Sequence, residues 1–192
     1  FYGTHGALTF DTAAMYQTGD FGERDLRAYS AYSTFNWKLS GTGWAPQVGF
    51  HADLSSGGGA YGSGTLRNSS ILFGSGPYHS WATWFGSTNY IAFAPMFQFA
   101  PSKTTSVQLQ YQRMWRQSTD DAIYSGAGTA YAGTQRTDGR RIGDLLRLNA
   151  TWKVSRYVAF TARAERFLAA GAMEDAGYGD ATFFGGFMTF RF

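Results

Sequence analysis

Large apolar side chains recur at every second position in eight segments of the chain, and this alternation limits the fold more than any other feature. In the last segment, FFGGFMTFRF, Phe184, Met188, Phe190 and Phe192 fall on one face of an extended strand, whereas Arg191 falls on the other. The other segments are ALTFDTAAMYQ, RAYSAYSTFNWKL, QVGFHADLS, YIAFAPMFQF, SVQLQYQ, LRLNATWK and VAFTARAE. Because period-two alternation predicts strands, we expect an all-β chain of about eight strands.

One of these segments also fits a helix. In YVAFTARAERFLAAGAM, residues Phe160, Ala164, Phe167 and Leu168 form a stripe at helical spacing, and alanine favours helices. The neighbouring segments are strands, however, and the preceding link VSR is short. We therefore interpret VAFTARAE as a strand.

The apolar faces of these strands could cover a soluble core or meet lipid. No stretch approaches the roughly 20 apolar residues of a spanning helix, so a membrane protein of this sequence would cross with strands. Only alternate residues would then face lipid, which explains 18% aromatic residues with a mean hydropathy of −0.27. A soluble β-sandwich also alternates, but it rarely places so many aromatics near strand ends opposite Gln, Ser and Arg. We therefore predict an antiparallel transmembrane β-barrel that spans residues 1–192 as one domain.

The connections between the predicted strands alternate in length. The links SGTGWA, APSKT and VSR are short, whereas the strands between them are followed by about thirty, twenty and fifteen residues rich in Gly, Ser, Thr and Asp. In outer-membrane barrels the short turns are periplasmic and the long loops are extracellular. The terminal Phe192 falls on the short-turn side, and a terminal aromatic residue is typical of bacterial outer-membrane proteins. We therefore expect this location.

Several sequence blocks resemble a known family. They are ADLSSGGG at 52–59, ILFGSGPYHSW at 71–81, NYIAFAPMFQFAPSK at 89–103, RMWRQSTDDAIY at 113–124, RIGDLLRLNATWKVSRYVAFTARAERFLAAG at 141–171 and the final TFRF. In content and order they are similar to the alginate export family of outer-membrane porins. The resemblance implies a barrel of roughly eighteen strands, large enough for a pore. It also implies export of an anionic polysaccharide, such as alginate, through a charged lumen. This chain would then supply the C-terminal part of a larger barrel.

Two other functions remain open at this stage. A complete barrel of eight strands would have an interior filled by side chains and would serve as a non-conducting anchor or adhesin. A barrel hydrolase would need a serine, histidine and acid, and His51 and Asp53 do share a strand face. Because no GxSxG motif accompanies them, we interpret this pair as structural and expect no catalysis.

Charged residues on the predicted lumen faces are the candidate pore-lining and substrate-binding residues. The basic residues are Arg116, Arg147, Lys153, Arg163 and Arg191, and the acidic residues are Asp11, Asp53 and Glu165. Planar guanidinium groups suit carboxylated sugars, and acidic neighbours would prevent tight binding. Arg116 is the strongest candidate because strand parity from Gln108 carries it inward. The alternative is that these charges pair and brace the wall, with Asp120 or Asp121 neutralising Arg116.

The outward face suggests lipid partners. Arg113 and Arg166 have lipid-facing parity near the outer rim, where they would meet lipopolysaccharide phosphates or follow a bulge. We expect the following side chains to be exposed on that face: Tyr29, Phe35, Trp37, Phe50, Phe93, Phe97, Leu109, Trp152, Phe160, Phe190 and Phe192. Outer-membrane lipid, lipopolysaccharide, an anionic polysaccharide and periplasmic export components are the expected partners.

Other binding classes receive little support from the sequence. The net charge of +3 is too small to indicate nucleic acid, and the absence of cysteine excludes disulfides and thiolate metal sites. His5, His51 and His79 are scattered, with no HExxH motif. We expect neither a cofactor nor a metal.

Overall fold

One antiparallel sheet of nine strands, paired in chain order, makes up most of the described part of the protein. The computed structural model describes residues 1–59, 64–70 and 78–192. The strands are β1 (Tyr2–His5), β2 (Leu8–Phe21), β3 (Arg24–Lys38), β4 (Gln47–Ser55), β5 (Tyr90–Ser102), β6 (Thr105–Trp115), β7 (Arg141–Lys153), β8 (Val158–Ala169) and β9 (Ala181–Phe190). A 3-10 turn (Thr134–Arg136) and a four-residue helix, α1 (Ala172–Asp175), are the helical elements of the described ranges. The all-β, antiparallel prediction is confirmed.

The eight predicted segments coincide with β2 to β9, including the segment that also fitted a helix. The additional strand is β1, which pairs with β2 from Tyr2 opposite Asp11 to His5 opposite Leu8. Its four residues are too few to show an alternation. It turns into β2 at Gly6, whose φ of 59° lies in the left-handed region that glycine adopts readily.

The two faces of the sheet differ in chemistry, as the alternation predicted. Of the eleven side chains expected on the lipid face, nine are exposed: Tyr29, Trp37, Phe93, Phe97, Leu109, Trp152, Phe160, Phe190 and Phe192. The other two, Phe35 and Phe50, are half-buried against each other with ring centroids 5.3 Å apart. None of the eleven belongs to the hydrophobic core. In the described ranges, no helix has the length and apolar character needed to cross a membrane.

Short and long connections lie at opposite ends of the sheet. Residues 6–7, 39–46, 103–104 and 154–157 form the short-turn end. Residues 22–23, 56–59, 64–70, 78–89, 116–140 and 170–180 lie at the long-loop end, where only the first connection is brief. The predicted alternation in length is therefore present in the structure.

The hydrophobic core lies at the long-loop end. Phe85 from the β4–β5 connection, Ile123 from the β6–β7 connection and Met173 from α1 pack together on Leu145 and Phe167 at the ends of β7 and β8. The core therefore forms between the loops and the strand ends. This packing fixes the path of the β4–β5 connection, whose last residues return along the polar face of the sheet.

Candidate functional site

The last part of the β4–β5 connection, residues 78–89, lies against the polar face of the sheet, and we call it the inner segment. At one end Tyr78 donates a 2.9 Å hydrogen bond to Asp53 of β4. A few residues on, the ring of Trp81 packs on Phe187 of β9, with centroids 5.1 Å apart. Strands β4 and β9 would be about 24 Å apart in a flat sheet. Contacts from one short segment to both therefore favour a sheet that curves around the segment.

Glu165 of β8 joins the inner segment to the charged residues of the sheet. Its carboxylate is buried and accepts hydrogen bonds from Ser80 Oγ at 2.5 Å and from the Trp81 backbone N–H at 3.0 Å. The same carboxylate lies 3.3 Å from Arg147 Nε and 3.6 Å from Arg163 Nη1. One negative charge faces two guanidinium groups, so this group of residues carries a positive charge in excess.

The two arginines differ in accessibility. Arg147 donates to Gln110 Oε1 at 3.0 Å and to the carbonyl oxygen of His79, and its side chain is 5% exposed. The Arg163 side chain is 12% exposed, and its Cζ lies 4.2 Å from the centre of the Trp81 ring. Arginine stacked on an aromatic ring keeps its in-plane N–H donors available. Arg163 is therefore the more accessible of the two paired arginines.

Asp53 is the centre of a second, adjoining polar group. Its Oδ2 lies 2.7 Å from His51 Nδ1 and 3.8 Å from His79 Nδ1. The Gln110 amide nitrogen lies 2.5 Å from the other ring nitrogen of His51. Burial next to Asp53 raises the pKa of Tyr78 well above its ordinary value. The interpretation of His51 and Asp53 as a structural pair therefore agrees with their contacts.

His79 and Ser87 bear on the hydrolase alternative. His79 Nε2 contacts Ser87 Oγ, so a serine, a histidine and Asp53 follow one another in space. However, the 3.8 Å between His79 and Asp53 exceeds a hydrogen bond, and Ser87 and His79 are each 2% exposed. Burial lowers the pKa of His79 to about 4. A substrate has no approach to this serine, and the arrangement acts as internal packing.

Four of the eight predicted site residues meet at the inner segment, namely Asp53, Arg147, Arg163 and Glu165. The remaining four lie elsewhere. Asp11 is exposed on β2, Lys153 is exposed at the short-turn end of β7, and Arg191 is exposed just after β9.

Arg116 lies in a different place from the one expected. It follows the last residue of β6, where the chain turns into the long loop, and it is 0% exposed. Its guanidinium donates to the backbone carbonyls of Gly139 at 2.7 Å, Thr134 at 2.6 Å and Thr137. Desolvation lowers its pKa. Arg116 therefore holds the β6–β7 loop together and offers no surface to a pore.

The carboxylate of Asp121 does not hydrogen-bond Arg116, although the negative charges of Asp138, Asp120 and Asp121 favour the charged form of Arg116. The Asp121 carboxylate accepts hydrogen bonds from the Gly58 N–H at 2.9 Å and from the Asn68 side chain at 2.7 Å. Only its backbone carbonyl faces Arg116, at 3.3 Å. Arg116 therefore holds the β6–β7 loop itself, whereas Asp121 links that loop to the β4–β5 connection.

Sequence reasoning missed the residues of the inner segment that contact the charged cluster. These are Tyr78, His79, Ser80 and Trp81, which lie within a long connection that is rich in Gly and Ser but also contains Tyr61, Phe73, Trp84 and Phe85. Aromatic residues in such a loop are the available signal, because a solvated loop has little use for them. Among the described residues, no group of three His, Asp or Glu side chains is arranged to hold a metal ion.

The outer rim at the long-loop end carries the two arginines expected there. Arg113 Nε lies 3.1 Å from Asp144 Oδ1, and Arg141 lies 2.6 Å from the other oxygen of that carboxylate. Arg166 lies 2.8 Å from Asp180. The register between β6 and β7 shifts directly beyond Arg113, between Met114 and Trp115. The bulge expected as one alternative therefore lies beside Arg113, whereas contact of the two arginines with lipopolysaccharide stays a prediction.

The sequence of this chain matches that of a known protein family. The sequence model of the family described as alginate export matches residues 1–187, which include β1 to β8 and most of β9. The chain belongs to the alginate export family. This is a family of transport proteins and not of enzymes. No curated protein matches the chain significantly.

Proposed function

We propose that this member of the alginate export family forms part of the wall of an outer-membrane β-barrel that passes an anionic polysaccharide, alginate or a relative of it. The observation that carries the proposal is the contrast between the two faces of one sheet. One face exposes rows of aromatic and aliphatic side chains, and the other holds arginines and carboxylates beside the inner segment. Lipid would cover the apolar side chains of the first face, and an aqueous path would solvate the charged side chains of the second.

The height of the apolar band suits a bilayer. On β7 the outward side chains run from Leu146 to Trp152, between Asp144 and Lys153. That run covers about 20 Å along the strand, and the apolar band of outer-membrane barrels is about 25 Å tall. Trp152 stacks with Phe160 at the short-turn end, where an aromatic girdle is expected.

The sheet edges support a wall with further strands. Beyond Thr12, the outer edge of β2 has no strand partner among the described residues, and neither does the outer edge of β9. In lipid each unpaired backbone group costs several kcal/mol, so an exposed edge does not persist there. A larger closed barrel, to which this chain contributes nine strands, removes both edges.

The charged inner face would select anions. The excess positive charge beside Glu165 involves Arg147 and the more accessible Arg163, and Lys153 and Arg191 would add basic charge nearer the short-turn end. Guanidinium groups bind carboxylates through two donors, and their field is stronger in a narrow pore than in bulk water. Asp11, Asp53 and Glu165 would limit the affinity so that the polymer can leave. Periplasmic export components would deliver it.

One observation favours the non-conducting alternative, in which the barrel is an anchor or adhesin. The inner segment packs closely on Asp53, Arg147 and Glu165, so it occupies space on the face where a polymer would pass. Transport requires room beside the segment, next to the further strands.

Planar-bilayer recording of the complete barrel, with the further strands present, separates these functions. We expect open channels that prefer anions and are blocked by a polymer of uronic acids. The variant Arg163→Glu should lower the anion preference, because it reverses the most accessible charge of the cluster. Arg156→Glu is the matched control, since Arg156 is exposed at the short-turn end and stacks on Tyr157. A correctly folded protein without channels would contradict transport, and unchanged selectivity in Arg163→Glu would remove that residue from the path.

A further inference from the structure

The outward face of β5 to β9 contains an apolar groove directly below a charged rim. The groove has a volume of about 570 Å³ and is lined by Phe97, Leu109, Leu148, Ala164 and Phe184, with Tyr111 and Arg166 at its upper end. All of these positions have the same parity as the exposed aromatics. In a membrane protein this groove faces lipid.

Strand register explains both the groove and its upper boundary. One row across the strands contains Leu109, Leu148, Ala164 and Phe184. The methyl group of Ala164 lies between two larger neighbours and leaves the depression. The next row toward the long loops contains Tyr111, Leu146, Arg166 and Thr182. The row beyond that begins with Arg113 opposite Asp144. The surface therefore changes from apolar to charged over two rows, or roughly 13 Å along a strand.

The rim above the groove has a positive charge in excess. Asp144 binds Arg113 through one oxygen and Arg141 through the other, so one carboxylate serves two guanidinium groups. The side chains of Arg113 and Arg141 are 46% and 45% exposed. Arg113 also contacts the Tyr111 hydroxyl at 2.8 Å, which links the rim to the groove. Free guanidinium donors next to a tyrosine hydroxyl suit a phosphate group.

We propose that this groove and its rim bind a lipid A-type glycolipid, a phosphorylated diglucosamine with several acyl chains. The inference rests on the proposed function, because it requires the aromatic face to meet lipid and the long loops to lie outside. The phosphate contacts Arg113 and Arg141, and the acyl chains fill the groove. The rows extend from β5 to β9, about 19 Å at the usual strand spacing, which suits a lipid with more than two chains.

A second groove provides an internal control. It lies on the same face toward the short-turn end, has a volume of about 540 Å³ and is lined by Ala150, Trp152, Phe160, Ala162 and Met188. No arginine lines it. Because the second groove has a similar volume and apolar character but no charged rim, it should bind membrane lipid without a preference for phosphate groups.

The test is lipid titration of the full chain in detergent, read by native mass spectrometry. The probes are bis-phosphoryl lipid A, monophosphoryl lipid A and phosphatidylglycerol. We expect bis-phosphoryl lipid A to bind most tightly, and the double variant Arg113→Gln, Arg141→Gln to lower its affinity about five- to tenfold. Ala164→Trp should weaken binding of both lipid A forms by filling the groove. Arg156→Gln and Ala162→Trp are the matched controls and should bind like the parent.

Two results would overturn the proposal: equal affinity of the double arginine variant and the parent, or equal affinity for phosphatidylglycerol and lipid A. If Ala164→Trp does not fold, as judged by heat-modifiable migration in gels, the arginine variant decides. Conductance is recorded on the same preparations. Channels without lipid selectivity would overturn only the lipid site, whereas selective binding without channels would overturn only transport.

Discussion

Ser80 of the inner segment donates a 2.5 Å hydrogen bond to Glu165 of β8, across 85 positions of sequence. The Trp81 backbone N–H binds the other oxygen of the same carboxylate. Glu165 therefore has two structural roles: it holds the inner segment, and it partly neutralises Arg147 and Arg163. The position of the inner segment and the balance of charge on the inner face depend on one side chain.

Replacing Glu165 with glutamine should destabilise the protein. The substitution leaves two arginines facing each other without a carboxylate, and removing one partner of a buried ion pair costs about 3–5 kcal/mol. Urea unfolding from detergent or lipid measures the change in free energy. Asp180→Asn is the control, because Asp180 pairs with Arg166 at the exposed rim and should change the free energy by less than about 1 kcal/mol. Equal effects of the two substitutions would contradict the role assigned to Glu165.

Replacing Arg116 with alanine should loosen the β6–β7 loop and leave ion selectivity unchanged. The buried guanidinium bonds at least three loop carbonyls, and these lose their partner in the variant. Hydrogen exchange should become faster in residues 116–140, with little change in β2 to β4. The control is Arg136→Ala in the same loop, because Arg136 is exposed. If Arg116→Ala changed the ion selectivity while residues 116–140 stayed protected from hydrogen exchange, Arg116 would be a pore-lining residue after all.

The position of Arg116 shows how far period-two reasoning extends. Strand parity correctly predicted which side chains of β6 lie on the inner face. Gln110, Gln112 and Met114 are all buried there. Alternation ends where the strand ends, and Trp115 is the last residue of β6. Beyond that point the side chain follows the loop, and three of the carbonyls that bind Arg116 come from residues about twenty positions away, namely Thr134, Thr137 and Gly139. Sequence patterns carry no information on such contacts.

Acidification should destabilise the protein through His79. The pKa of His79 in the folded protein is about 4, below its ordinary value of 6.5, because burial excludes the charged form. The unfolded chain therefore binds more protons between pH 6.5 and 4, and the free energy of unfolding falls as the pH falls through this range. Asp53 opposes this shift, whereas His51 and Arg147 add to it.

Unfolding measured at several pH values checks this expectation. The variant His79→Gln should lose less stability between pH 6.5 and 4 than the parent does. His5→Gln is the control, because His5 is exposed in β1 and should leave the pH dependence unchanged. Parallel pH profiles for the parent and His79→Gln would mean that other groups dominate acid sensitivity.

Replacing Gly143 with alanine should disturb the start of β7. Gly143 has a φ of 154°, and an added Cβ would lie 2.3 Å from the carbonyl oxygen of Leu168. Backbone strain and this clash together should lower stability by about 1–3 kcal/mol. Gly179→Ala is the control, because no atom lies within 4 Å of the added Cβ there. Thermal unfolding of both variants decides, and a Gly143→Ala protein as stable as the parent would refute the close approach.

The sheet was predictable from the sequence, whereas the inner segment was not. The face that each side chain takes follows from local alternation, so the positions of Phe50, Phe93 and Leu109 within their strands were enough to assign them to the apolar face. The contacts of Trp81 with Arg163 and Phe187 join three distant parts of the chain. They depend on the path of a connection more than thirty residues long, which no periodic pattern describes. The strand β1 was missed for the opposite reason, since four residues are too few for a period.

The placement of the hydrophobic core at the long-loop end has a consequence for assembly. For a chain that inserts from its short-turn side, the long loops cross the bilayer before Phe85, Ile123 and Met173 can meet. Their apolar surface leaves water only after arrival, and the free energy released then opposes return. Formation of the hydrophobic core at the long-loop end would thus make insertion directional. In a chain with polar residues at these three positions, insertion should remain reversible, because the loops could cross back through the bilayer.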